Sequence, residues 1–220
     1  MSREEQLKRI IRDMLRPLKD IPLDIIIEAI TEGQCTIWPY DGHCKNELQR
    51  IARLALEEIN RHGILARRPN EVGNYCEPHV RKAIELADGN ADTPLTSNGR
   101  RKSTGYPDLE AEIGSKPFYL EVKTYNANNE DTTQRAFYLS PSKDFKITKD
   151  AYHLIFAFCM EVVERQGQQM LFRAKSCTVI DAHDLPCDVK YEFNSDNRRM
   201  YGSDERIVMK IVADEASSND

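Results

Sequence analysis

With 220 residues, 40% of them hydrophobic and 30% charged, the chain has the composition of a soluble globular protein, not of a disordered or membrane-spanning one. No apolar run approaches the roughly 20 residues that cross a bilayer. A net charge of −5 argues against a generic polyanion binder. It leaves open a nucleic-acid substrate met by local basic segments, because carboxylates that hold a divalent ion add negative charge of their own.

The first 90 residues read as helices. Ser2 and Glu5 form a capping-box pattern ahead of Leu7, Ile10, Ile11, Met14, Leu15 and Leu18, a stripe at helical spacing. The stretch from Met1 to Asp20 is charged throughout and lacks an apolar signal core, so the protein is expected in the cytoplasm. Pro22 can open a second helix through Ile25, Ile26, Ala29 and Ile30, with Gly33 just past its end. A third helix is predicted from Lys45 to His62, with Leu48, Ile51, Ala52, Ala55, Leu56 and Ile59 inward and Gly63 as its stop. A fourth is predicted to begin near Pro78, to bury Val80, Ala83, Ile84 and Ala87, and to end at Gly89. The lone Trp38 reads as core. The six scattered cysteines include no CxxC pair, so they read as reduced thiols and not as a zinc site or a disulfide framework.

From Gly89 to Tyr106 the chain is rich in Gly, Pro, Ser, Thr and Asn and reads as a long loop. Arg100, Arg101 and Lys102 make it locally basic. An antiparallel hairpin is predicted next. Leu109, Ala111 and Ile113 alternate with Glu110 and Glu112, Gly114-Ser115-Lys116-Pro117 supplies the turn, and Phe118, Leu120 and Val122 alternate with Tyr119, Glu121 and Lys123. Further strands are expected at Ala136–Leu139, Leu154–Met160 and Met170–Ile180.

Residues two apart on a strand share a face, so Glu121 and Lys123 project together while Leu120 and Val122 point to the other side. Asp108 enters the preceding strand and can lie beside Glu121. Two carboxylates and an ammonium on one side of a sheet suit phosphodiester hydrolysis. The carboxylates can hold Mg²⁺, which prefers hard oxygen ligands, and the lysine can orient or deprotonate the attacking water.

Pro107-Asp108, twelve residues, then Glu121-Val122-Lys123 resembles the PD-(D/E)xK signature of the restriction-endonuclease-like superfamily. The chain looks most like a type II restriction enzyme within it. The resemblance implies an α/β fold with a central mixed β-sheet flanked by helices. It further implies Asp108 and Glu121 as metal ligands, the Val122 carbonyl as a further ligand, and Lys123 as the catalytic lysine. The implied organisation is an N-terminal helical region over 1–74, a nuclease core over 75–213 and a flexible acidic tail over 214–220.

Glu77 is a second candidate metal ligand, placed by Pro78 at the entrance of the fourth helix; the alternative is a carboxylate that only complements the helix dipole. Arg100, Arg101 and Lys102 can grip phosphates or read guanine edges, or can simply be an exposed loop. Lys143, Lys146 and Lys149 offer a second DNA-facing loop, of which Lys143 is the candidate contact, although an exposed connector is the plainer reading. The expected function is Mg²⁺-dependent cleavage of double-stranded DNA by a homodimer, whose two-fold symmetry would match a palindromic site. The rivals are a nuclease that recognises DNA structure in repair or recombination, and an inactive DNA-binding module of the same fold. No Walker A loop, nucleophile elbow or HExxH helix is present to support another chemistry.

Overall fold

In a computed structural model, residues 2–16, 18–129, 136–190, 195–201 and 209 are described. The expected tail at 214–220 lies outside them. The elements in chain order are α1 (Arg3–Met14), β1 (Ile21–Pro22), α2 (Leu23–Ile30), β2 (Ile37–Trp38), α3 (Lys45–His62), β3 (Ile64–Ala66), α4 (Val72–Leu86), β4 (Asn90–Asp92), β5 (Leu109–Ile113), β6 (Lys116–Tyr125), β7 (Ala151–Gln166), β8 (Gln169–Asp181), β9 (Pro186–Cys187) and α5 (Asn197–Tyr201). The described residues of 19–187 form one packed unit, and those of 1–18 and 188–209 group as another.

In the smaller unit, α1 starts as its sequence dictates. The Ser2 hydroxyl accepts from the Glu5 amide at 3.2 Å, and the Ser2 amide donates to the Glu5 carboxylate at 2.7 Å. Its apolar stripe is not core: Leu7, Ile10, Ile11 and Met14 are all exposed. In the larger unit, β1 and β9 form a small antiparallel pair. The other seven strands make one mixed sheet in the order β3-β8-β7-β6-β5-β4, with β2 added beside β7. β7 runs parallel to both β6 and β2, and the remaining pairings are antiparallel. No helix among the described residues is long and apolar enough to cross a membrane.

Helices and loops cover both faces of this sheet, the central mixed sheet flanked by helices expected from the sequence. On one face Leu48, Ile51, Ala55 and Ile59 of α3 and Val80, Ala83 and Ile84 of α4 pack on Phe118, Leu120, Val122, Phe156 and Phe158. On the other, Leu23 and Ile27 of α2, with Ile147 and Ala151, pack on Tyr119, Ile155 and Ala157. Both faces of β6 are therefore dry over Phe118–Val122.

Two glycines fix how the sheet is entered and turned. Gly63 ends α3 at φ +67°, where a Cβ would meet Leu171 Cδ1 at 2.7 Å. Gly114 and Ser115, at φ +55° and +62°, turn β5 into β6 as a two-residue hairpin of the kind favoured by strand twist. A Cβ on Gly114 would come within 2.2 Å of Cys44 Sγ.

Further sequence expectations are corrected. The stretch from Gly89 to Tyr106, read as one long loop, contains β4, which pairs with β5 at the sheet edge. Residues 136–140 form no strand. Short strands β2 and β3 arise within the stretch read as purely helical and join the sheet, because pairing with β7 and β8 decides them and not their own pattern. α4 begins at Val72, six residues before Pro78, which lies inside the helix. Proline's fixed φ fits a helix and costs it one backbone hydrogen bond; burial of Val72 and Cys76 on the same face as Val80 favours helix across it.

Candidate active site

Asp108 sits immediately before β5. Its amide donates to the Leu120 carbonyl at 3.1 Å, one step past the Leu109–Leu120 pair, so Asp108 lies across from Glu121. One of its carboxylate oxygens, Oδ2, accepts from the Val122 amide at 2.8 Å. That bond ties the side chain to the neighbouring strand and leaves it half-buried.

Glu121 is only 4% exposed. Charged residues on strand faces are usually solvated, but the cluster beneath α2 covers this face. Burial and, after it, the charge of Asp108 push the Glu121 carboxyl up to about 7, while Lys123 pulls the other way. Lys123 Nζ is 2.6 Å from Glu121 Oε1. The other oxygen, Oε2, is buried with no hydrogen-bond partner among the described residues. A buried carboxylate oxygen left unsatisfied is costly, and an ion bound between Glu121 and Asp108 would satisfy it and offset the repulsion between the two acids. These donors fit a hard divalent cation.

Glu77 lies within α4, not at its entrance, because the helix starts earlier than its proline suggested. Its carboxyl is raised first by burial and then by the charge of Asp108, so it belongs to the same acidic neighbourhood. Arg81, one turn on, faces it at 3.5 Å and also reaches Asp92 at 3.3 Å. The three acids are spaced more widely than a closed cluster. Among the described residues, the one group of three possible ligands whose atoms all lie within 4.8 Å of one another is Asp24, His183 and Asp184. There the imidazole is already engaged, with Nδ1 2.7 Å from Asp184 and Nε2 3.7 Å from Asp24.

The basic candidates divide. Arg100, Arg101, Lys102 and Lys143 are exposed. The two loops that carry them are joined: Ser97 N donates to Phe145 O at 2.8 Å, and Asn98 Nδ2 to Asp144 Oδ1 at 2.9 Å. Arg101 is occupied at home, 2.5 Å from Asp92 and donating to Thr93 O at 3.2 Å. Lys149 pairs with Glu110 and is a structural cation. Lys146 is no surface residue. It is 3% exposed, donates to Gly105 O at 2.6 Å and Pro107 O at 2.7 Å, and feels the charges of Asp108, Glu121 and Glu77. Its regular spacing from Lys143 and Lys149 disguised it. Its apolar neighbours Phe145 and Ile147 were the signal that this part of the loop turns inward.

A protein-family model described as the type II restriction enzyme MjaV family matches residues 18–204. A relative named Type II restriction enzyme MjaV, from Methanocaldococcus jannaschii, is 34% identical over 228 aligned residues, covering 94% of this chain and 96% of that protein. The family match spans both basic loops, Glu77 and the whole hairpin. A chain matched over this length, at this identity, belongs to the MjaV family of type II restriction enzymes.

Proposed function

We propose that the protein hydrolyses phosphodiester bonds of double-stranded DNA at a specific short sequence, with Mg²⁺ as cofactor and Asp108, Glu121 and Lys123 as its cutting centre. The observation that carries this reading is the buried Glu121 carboxylate. One oxygen is paired with Lys123 at 2.6 Å, and the other is buried and unpartnered beside Asp108. Such gaps are few in a folded protein; among the described residues the only others are at Asp24 Oδ1 and His153 Nε2, and of the three only Glu121 stands in the Pro107-Asp108, Glu121-Val122-Lys123 pattern.

Asp108, Glu121 and the Val122 carbonyl would hold the metal, and Glu77 would complete the set from α4. When bound, Mg²⁺ polarises the phosphate and lowers the pKa of a water. Glu121 keeps Lys123 oriented through their ion pair, and the ammonium is only partly exposed, so it is placed to donate a hydrogen bond that orients the attacking water. Arg100, Lys102 and Lys143, on two joined loops, offer cations to the DNA backbone. A homodimer accounts for symmetric cutting of both strands.

Digestion of DNA of known sequence with Mg²⁺, followed by mapping of the ends, tests this reading. Discrete fragments sharing one short sequence at their termini are expected. Cleavage at flaps or junctions irrespective of sequence would support the repair-nuclease alternative instead, and no cleavage in any divalent ion would support the inactive module. Sedimentation of the intact protein at twice the monomer mass is the companion expectation.

A further inference from the structure

The three residues that lead into Asp108 are all held by buried polar groups from elsewhere in the fold. Lys146 Nζ donates to Gly105 O at 2.6 Å and to Pro107 O at 2.7 Å. Between those carbonyls, the Tyr106 hydroxyl and His153 Nδ1 are hydrogen-bonded at 2.6 Å, and His153 is fully buried on β7. Among the described residues, no carboxylate comes within ion-pairing distance of Lys146. Burying an ammonium without a paired anion is costly, so its two bonds to a single turn of backbone call for a functional explanation. What they secure is the path of the chain into Asp108, whose own oxygen is then set against the Val122 amide.

We propose that Lys146 is a positioning residue, clamping residues 105–107 together with the Tyr106–His153 bond so that Asp108 meets the metal in a preset geometry. The proposal rests on the reading of Asp108 as a metal ligand. Groups that orient a ligand, without touching the ion, commonly control its affinity.

The clamp and a mere charge effect predict opposite signs. Removing a cation near three carboxylates strengthens attraction for a divalent ion if position is unaffected. Loss of a clamp weakens binding instead. Titration of the intact protein with Mn²⁺ by calorimetry reads this directly. Lys146→Met should raise the Mn²⁺ dissociation constant about tenfold or more, and Tyr106→Phe should raise it by a smaller factor of about three. Plasmid cleavage by Lys146→Met should fall at low Mn²⁺ and recover in part at high Mn²⁺. Unchanged or tighter Mn²⁺ binding by folded Lys146→Met overturns the clamp. Should that variant lose its far-UV circular dichroism, Tyr106→Phe, which lacks one hydroxyl, carries the test, and wild-type affinity there overturns the clamp. A wild-type protein that binds no Mn²⁺, or binds it equally well after Asp108→Ala, overturns the metal-site reading itself. Dependence on Asp108 but not on Lys146 overturns the clamp alone.

Discussion

Glu121 and Arg101 each face an opposite charge, yet the fold treats them differently. Glu121 is 4% exposed, sits mid-strand between two apolar clusters, and retains a buried oxygen without a hydrogen-bond partner among the described residues. Arg101 is 57% exposed on a loop, and its guanidinium is met by Asp92 and the Thr93 carbonyl. The strand position holds a charge in an environment that penalises it, a pattern concentrated at functional sites. The loop position holds a charge in water, where an ion pair contributes about 0–1 kcal/mol. On the function proposed above, the hairpin carries the chemistry and the loops the binding, so substitutions in the two should fail in different ways.

The largest effect is expected at the strand. Lys123→Ala should lower cleavage by about 10²–10⁴-fold while its circular dichroism stays that of the wild type, because the partly exposed ammonium carries little of the fold. A plasmid-cleavage time course reads this, and retained cutting would remove Lys123 from the mechanism.

Next comes the pH dependence of the metal-free protein. The folded Glu121 carboxyl is raised from 4.5 to about 7, so the folded state binds its proton more readily than the unfolded chain does. The resulting stability is fully present below about pH 4.5 and is lost as pH rises through about 7. Glu121→Gln should therefore unfold at higher temperature than the wild type at pH 8, by on the order of 1 kcal/mol, and show little advantage at pH 4.5. Equal melting of the two proteins at pH 8 would show that the carboxylate is not strained.

Glu77 tests whether the helix contributes to the strand-borne centre. Glu77→Gln removes a carboxylate whose protonation is favoured by burial and by Asp108, so stability should not fall beyond the weak Arg81 pair, about 0–1 kcal/mol. The Mg²⁺ needed for half-maximal cleavage should rise about tenfold. Wild-type cleavage at low Mg²⁺ would reduce Glu77 to a structural role.

The smallest effects are expected in the loops. Arg100→Ala with Lys102→Ala should weaken binding to cognate and random DNA alike, and reduce the salt slope by about one for each phosphate no longer neutralised. Arg101→Ala should do less, since its cation is already shared with Asp92 and Thr93. A larger effect from Arg101, confined to cognate DNA, would mark it as a reader of bases.

The hairpin was legible in the sequence because its signals are local. Period-two alternation put Glu121 and Lys123 on one face, but the register was not legible: Lys116 and Pro117, read as turn, belong to β6, and the two-residue Gly114-Ser115 turn is what brings Asp108 opposite Glu121. α3 was legible for the same reason, with a full apolar stripe and a glycine stop. What escaped depends on distant partners. Pro78 mimics a helix start, and only the burial of Val72 and Cys76 reveals the helix before it. β2 and β3 are strands because β7 and β8 accept them. Lys146 resembles its exposed neighbours in sequence, and the carbonyls that hold it belong to residues some forty positions earlier.

The central claim is that Asp108 and Glu121 form one metal site. Calorimetric titration of Mg²⁺ into the wild type, Asp108→Asn and Glu121→Gln tests it most directly. If the claim holds, the wild type binds and each single substitution removes most of the binding, with no further weakening in the double variant. Undiminished Mg²⁺ binding by Glu121→Gln would contradict it.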